Sequence, residues 1–194
     1  MQITKIAIFA SGSGTNAENL TKSFLKAENL EIAVILTNKK DAYVIERAKK
    51  LGVPFEVFSK ADLVEENGQR VLNLLKKYQT DFIILAGFLL KVPETLIEKY
   101  RDKIINIHPS LLPKYGGKGM YGKHVHEAVI AANETISGIT IHLVDEEYDK
   151  GKVLFQATCE VSSNDSASDL AKKIHQLEYE FFPKTVADYI QGFK

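Results

Sequence analysis

Asn106 and His108 stand two positions apart on a short apolar run that ends at Pro109. Along a strand, residues i and i+2 share a face, and open α/β sheets place their sites at the carboxyl ends of strands. An amide and an imidazole presented together can both donate to one oxygen as it gains negative charge. That suits acyl-type transfer through a tetrahedral intermediate. Further on, Asp145, Glu146, Glu147 and Asp149 lie just before Lys150-Gly151. One of these carboxylates could orient the His108 imidazole and favour its charged form. Spacing does not say which, and Glu147 reads as a solvated turn residue. A third feature is Ser11-Gly12-Ser13-Gly14-Thr15-Asn16. Glycine accepts positive φ, and a helix beginning near Asn16 would present unpaired amides to an anion, so this loop suits a phosphate monoester. It is not a P-loop, because no later Gly-Lys-Ser/Thr follows. As a dinucleotide fingerprint it has Ala17 in place of the third glycine, and no ribose-binding acid in Thr37-Asn38-Lys39.

The elements that must carry these residues are visible in the hydrophobic pattern. Residues 6–10, 32–36, 82–86 and 104–107 are short, near-continuous apolar runs, as expected of strands covered on both faces. Between them, Val71, Leu74, Leu75 and Tyr78 form one helical stripe, and 43–51 reads as a helix stopped by Gly52 and Pro54. Strand alternating with helix predicts an α/β fold. The expectation is a single domain over 1–194 with a mostly parallel twisted sheet flanked by helices, Rossmann-like. The second half is less regular, with a glycine-rich loop over 112–122 and a helix over 126–132. Strands are expected over 136–144 and 152–161, and a last helix over 167–189 interrupted at Pro183.

Composition narrows the function classes. Twenty-five basic and twenty-five acidic residues among 194 give zero formal net charge, so no bulk attraction to nucleic acid or anionic membrane is expected. Lys172-Lys173 alone reads as a solvated helix face. The apolar opening segment 6–10 is too short for a signal-peptide core or a membrane span, so a cytoplasmic protein acting on small molecules is the expectation. The single cysteine, Cys159, excludes a disulfide framework and a Cys-cluster metal site, and reads as a small buried hydrophobe. His124-x-His126 has no carboxylate or cysteine at ligand spacing, so no metal is expected and His126 reads as structural. His142 reads as an ordinary strand residue.

Asn106-Ile107-His108-Pro109-Ser110-Leu111-Leu112-Pro113 resembles the hallmark segment of the folate-dependent formyltransferases. Gly138-Ile139-Thr140-Ile141-His142-Leu143-Val144, followed by Asp149-Lys150-Gly151-Lys152-Val153-Leu154, is similar to their second signature. The 11–16 loop and Leu85-Ala86-Gly87-Phe88 match in the same order, so the resemblance runs from about residue 5 to about residue 183. It implies formyl transfer from 10-formyltetrahydrofolate, a co-substrate, to the amine of 5-phosphoribosylglycinamide, by a monomer or homodimer without metal. Other readings are transfer to another phosphate-bearing amine such as an amino-sugar nucleotide, or a nucleotide-binding domain without chemistry.

Residue by residue, the resemblance implies that Asn106 and His108 stabilise the oxyanion, with Asp149 raising the histidine pKa and ordering water. It implies that Gly14, Thr15 and Asn16 hold the substrate phosphate. Glu178 matches a family residue that contacts the ribonucleotide, and His175 lies one helical turn earlier on the same face. Leu89, Leu90, Lys91 and Val92 would line the pterin pocket, with Val144, Asp145 and Glu146 as the facing loop. The chain departs from the pattern where relatives often carry an arginine soon after the Ala-Gly-Phe segment. It has Leu90 and Lys91 there, leaving Lys60, Lys91 or Arg70 as candidates to hold the folate glutamate tail. The loop 114–124 is longer than in many relatives and could act as a flap over the site.

Overall fold

The computed structural model describes residues 3–64 and 67–193. The chain forms two compact units, Met1–Ile105 and Asn106–Lys194, and the strand order is β3-β2-β1-β4-β5-β6-β7. The fold is α/β with a mostly parallel sheet, as the apolar runs predict.

In the first unit, β1 (Thr4–Phe9), β2 (Leu30–Thr37), β3 (Phe55–Val57) and β4 (Phe82–Leu85) alternate with α1 (Thr15–Phe24), α2 (Val44–Leu51), α3 (Lys60–Val64) and α4 (Gln69–Lys77). Then come α5 (Glu94–Lys99) and β5 (Ile104–His108), whose last three residues belong to the second unit. β1 pairs in parallel with β2 and β4, and β2 with β3. Ile6, Ile8 and Phe9 are wholly buried, as are Ile83 and Ile84 of β4. Burial on both faces is the reason these strands read as unbroken apolar runs. In α4, Val71 and Leu75 are buried while Leu74 and Tyr78 are half-buried, so the expected stripe is the inward face. α2 stops at Gly52, whose φ of 68° turns its amide back onto the carbonyls of Ala48 and Lys49. Phe88 stacks edge-on against Phe9, with centroids 5.3 Å apart, and anchors the segment that follows β4.

In the second unit, β5 ends in Asn106–Ile107–His108 and is followed by α6 (Lys123–Ala131), β6 (Ile136–Leu143), β7 (Val153–Glu160) and α7 (Ala167–Gly192). β6 and β7 pair antiparallel, with Gly138 opposite Thr158. A Cβ at Gly138 would collide with the Ala157 carbonyl, so close strand approach requires glycine there. α6 begins three residues earlier than expected. α7 is one continuous helix of 26 residues with Pro183 inside it, correcting the expected interruption. A proline within a helix costs about 3 kcal/mol. Here it lies on a stripe with Leu170, Ile174, Phe182, Val186 and Ile190, all buried as α7 packs on α6, β6 and β7. Burying side chains of this size contributes roughly 1.5–3 kcal/mol each, which outweighs the proline. Ser166 and Asp169 close a capping box at the helix start.

Candidate active site

β5 ends by placing Asn106 and His108 on the same side, where β6 supplies His142. The Asn106 side-chain nitrogen meets His142 Nε2 at 3.0 Å, and His142 Nδ1 meets the Leu143 carbonyl at 2.7 Å. A carbonyl only accepts, so Nδ1 carries the ring proton in the neutral tautomer and Nε2 accepts from the Asn106 amide. His142 therefore fixes which way the Asn106 amide points. Asp149 lies between the two imidazoles, its Oδ2 3.6 Å from His108 Nδ1 and its Oδ1 3.6 Å from His142 Nε2. The Gly117 amide donates to Asp149 Oδ2 at 2.8 Å. On its other side, His108 Nε2 donates to the Tyr115 carbonyl at 2.8 Å. Both histidines are nearly inaccessible, at 4% for His108 and 2% for His142.

Electrostatics follow from that burial. Burial pushes the His108 imidazole down, Asp149 and the Tyr115 carbonyl lift it, and His142 lowers it again; the balance lies below the ordinary imidazole value. Asp149 thus lifts the His108 imidazole, and desolvation, the larger effect, sets the net direction. Burial alone would raise the Asp149 carboxyl, but His142, His108 and the Gly117 amide bring it below its ordinary value. Geometry also separates Asp149 from its acidic neighbours. Half-buried Asp145 accepts through Oδ1 from the Glu147 amide and Glu147 pairs with Lys150, while Glu146 and Glu147 are exposed.

The loop ending β1 is built from backbone. Gly14 has φ 75° and precedes α1, whose N-cap makes no side-chain hydrogen bond, a helix start of the kind that suits an anion. A Cβ at Gly14 would strike Val44. Ser11 Oγ accepts from the Leu89 amide at 3.0 Å and donates to Asn38 at 2.6 Å, tying the loop to the segment after β4. Thr15 opens the helix and Asn16 is buried one residue on. Glu18 in the first turn would repel a phosphate, but it is paired with Arg47 and Lys22.

The remaining candidates fall into smaller groups. Glu178 is 5% exposed and accepts from His175 Nδ1 at 2.9 Å. That bond raises the His175 pKa despite partial burial. Glu178 is thus a buried carboxylate rather than part of a solvated helix face. His126 on α6 is buried, its Nδ1 has no hydrogen-bond partner among the described residues, and burial lowers its pKa. Leu89 and Lys91 are exposed and Leu90 is half-buried. Val92 is buried, at 5% exposure. In the second unit Val144 and Asp145 are half-buried and Glu146 exposed. Arg70 pairs with Asp62 at 3.1 Å, and Lys60 opens α3 as an exposed residue. Cys159 is half-buried rather than buried. Among the described residues no cluster of three or more His, Cys, Asp or Glu side chains could hold a metal, and no helix is long and apolar enough to cross a membrane.

Two groups in contact with Asn106 and His108 carry little signal of their own in the sequence. His142 was visible only as part of the second signature, and the Tyr115 carbonyl carries no sequence signal.

Residues 4–186 match the family model described as Formyl transferase. The chain is 34% identical over 186 residues to a phosphoribosylglycinamide formyltransferase of Bacillus subtilis, covering 94% of this chain and 92% of that one. It is 39% identical to a chloroplastic phosphoribosylglycinamide formyltransferase of Arabidopsis thaliana, again over 94% of this chain. It spans 64% of that plant protein's length and 59% of the corresponding protein of Vigna unguiculata. A crystal structure of phosphoribosylglycinamide formyltransferase from Bacillus halodurans superposes with a TM-score of 0.89 at 36% identity, covering 96% of this chain and 95% of that one.

Proposed function

Because the chain belongs to the formyl transferase family, we propose that it transfers a formyl group from 10-formyltetrahydrofolate to the amine of 5-phosphoribosylglycinamide. The products are formylglycinamide ribonucleotide and tetrahydrofolate. The observation that carries this reading is the cluster at the end of β5, with the Asn106 amide held by the His142 imidazole and the half-buried Asp149 carboxylate between His142 and His108.

In the reaction a bond forms between the amine nitrogen and the formyl carbon, and the bond from that carbon to folate N10 breaks. One proton leaves the amine and one arrives at N10. Asn106 supplies a donor to the formyl oxygen as it becomes negative, and His108 joins it once its Nδ1 has taken up a proton. In the free chain His108 lies below the ordinary imidazole value, so at pH 7 the ring is mostly neutral, with its one proton on Nε2 facing Tyr115. Negative charge growing on the formyl oxygen raises the ring's proton affinity. The amine's proton is then held at Nδ1 beside Asp149 and is given up to the departing nitrogen.

The loop around Gly14, Thr15 and Asn16 takes the phosphate on backbone amides, and Glu178 with His175 takes the ribonucleotide's hydroxyl-bearing part. Leu89, Leu90, Lys91 and Val92 in the first unit, and Val144, Asp145 and Glu146 in the second, carry the folate-contacting role that the family resemblance assigns them.

Acceptor choice tests the reaction. Purified protein with 10-formyltetrahydrofolate is offered glycinamide ribonucleotide, glycinamide alone or an amino-sugar nucleotide, and the folate absorbance change is followed. Turnover with the ribonucleotide only is expected. Turnover with the amino-sugar nucleotide instead would overturn the substrate assignment.

A further inference from the structure

We propose that Glu134 is a positioning residue for His108, acting through Tyr115; the proposal takes the role of His108 from the reaction above. The Tyr115 carbonyl is the acceptor for His108 Nε2. Tyr115 presents it from a φ of 55°, a left-handed conformation that bulky side chains rarely adopt. Such a conformation persists where the surroundings hold it. Here the hold is polar: the Tyr115 hydroxyl donates to Glu134 Oε1 at 2.9 Å, and Lys114 Nζ donates to the same oxygen at 2.8 Å. Ser110 Oγ secures the Lys114 carbonyl at 2.7 Å.

The Tyr115 ring borders a cavity of about 200 Å3, lined also by Leu111, Lys114, Val129, Glu134 and Ile136. A ring with space beside it is free to move once its hydroxyl loses Glu134. Glu134 sits in the turn between α6 and β6, with its carboxyl below the ordinary value because of Lys114 and Tyr115, so it is ionised at neutral pH. The chain of contacts thus runs from a carboxylate away from the reacting groups, through one tyrosine, to the catalytic imidazole. It sets the tautomer of His108: while Nε2 is committed to Tyr115, the bare Nδ1 is the nitrogen that faces Asp149 and receives the proton.

The test reads the tautomer directly. Long-range 1H–15N NMR of the histidine rings at pH 8 is expected to show His108 protonated on Nε2 in the wild-type chain. Glu134→Ala and Tyr115→Phe should each turn it into a mixture of tautomers, and Glu134→Gln, which keeps an acceptor for the hydroxyl, should restore it. Turnover should follow. Each damaging variant should lower kcat about 10-fold with KM within about two-fold, and the double variant should be no worse than either single one. The His108 titration should also move to lower pH, read against the groups that face the ring, Asp149, His142 and His126. A His108 still wholly Nε2-protonated in both folded variants would overturn the proposal, and so would additive losses with an unmoved titration. If the wild-type chain has no transferase activity, the proposed reaction fails, while the NMR result still decides the clamp.

Discussion

In the proposed reaction the loop 11–16 works through its backbone, whereas the cluster of Asn106, His108, His142 and Asp149 works through side chains gathered from β5, β6 and the β6–β7 connection. The proposed function of the loop is encoded over six consecutive residues, because a glycine at positive φ and a helix start without a side-chain cap are local properties. The cluster exists only when β6 lies against β5 and the turn after it brings Asp149 back to both imidazoles. A local device made of amides suits binding, since amide dipoles are always present and need no proton. A non-local device made of titratable groups suits turnover, since burial tunes their proton affinity. Damage to the cluster should therefore appear in kcat, and damage to the loop in KM for the ribonucleotide.

The largest expected effect is on Asn106. Asn106→Ala removes a donor to the oxyanion and also leaves His142 Nε2 without its amide, so kcat should fall about 100-fold or more, measured at saturating substrates. Asp149→Asn comes next. Asp149 lifts His108 against its burial, so its loss should move the His108 titration further down while kcat drops on the order of 10-fold or more. An unmoved titration would remove Asp149 from its role. Gly14→Ala should act on the other side of the comparison, raising KM for the ribonucleotide with kcat little changed. The forced collision with Val44 should also cost about 2 kcal/mol of stability, read by urea unfolding.

The smallest effect is a pH dependence of stability. His108 and His126 both have folded pKa values pushed below 6.5 by burial. Their stabilisation is complete above about 6.5 and is lost as pH falls through the folded values, because the unfolded chain then binds more protons. His175, raised by Glu178, acts in the opposite direction. Its contribution is complete below the unfolded value and is lost as pH rises through the raised one. His126→Gln should flatten the acid side of a melting-temperature profile, whereas His175→Gln should flatten the neutral-to-basic side. A profile indifferent to both would show that neither ring titrates as its surroundings dictate.

The sequence carried the parallel strands, the α4 stripe and the Asn106–His108 pair, since each depends on residue type at short spacing. It also carried the glycine loop. What it left open depended on tertiary geometry. Spacing left four acids equal and only the family resemblance singled out Asp149, the one that lies between two histidines. His142 looked like strand filling because a buried histidine on an apolar face is usually that, and its bond to Asn106 spans two strands. Pro183 read as a break because a local rule ignores the buried stripe around it. The Tyr115 carbonyl could not be read at all, because every residue has one.

The central claim is that the His108 cluster performs formyl transfer to the phosphoribosyl amine. It is tested most directly by single-turnover product analysis with 13C-formyl-labelled 10-formyltetrahydrofolate and glycinamide ribonucleotide, for wild type and His108→Ala side by side. The account predicts label on the ribonucleotide amine with the wild-type chain. It predicts a rate at least about 100-fold slower with His108→Ala, at unchanged ribonucleotide affinity. Equal rates for the two proteins, or no labelled ribonucleotide from the wild-type chain, would contradict it.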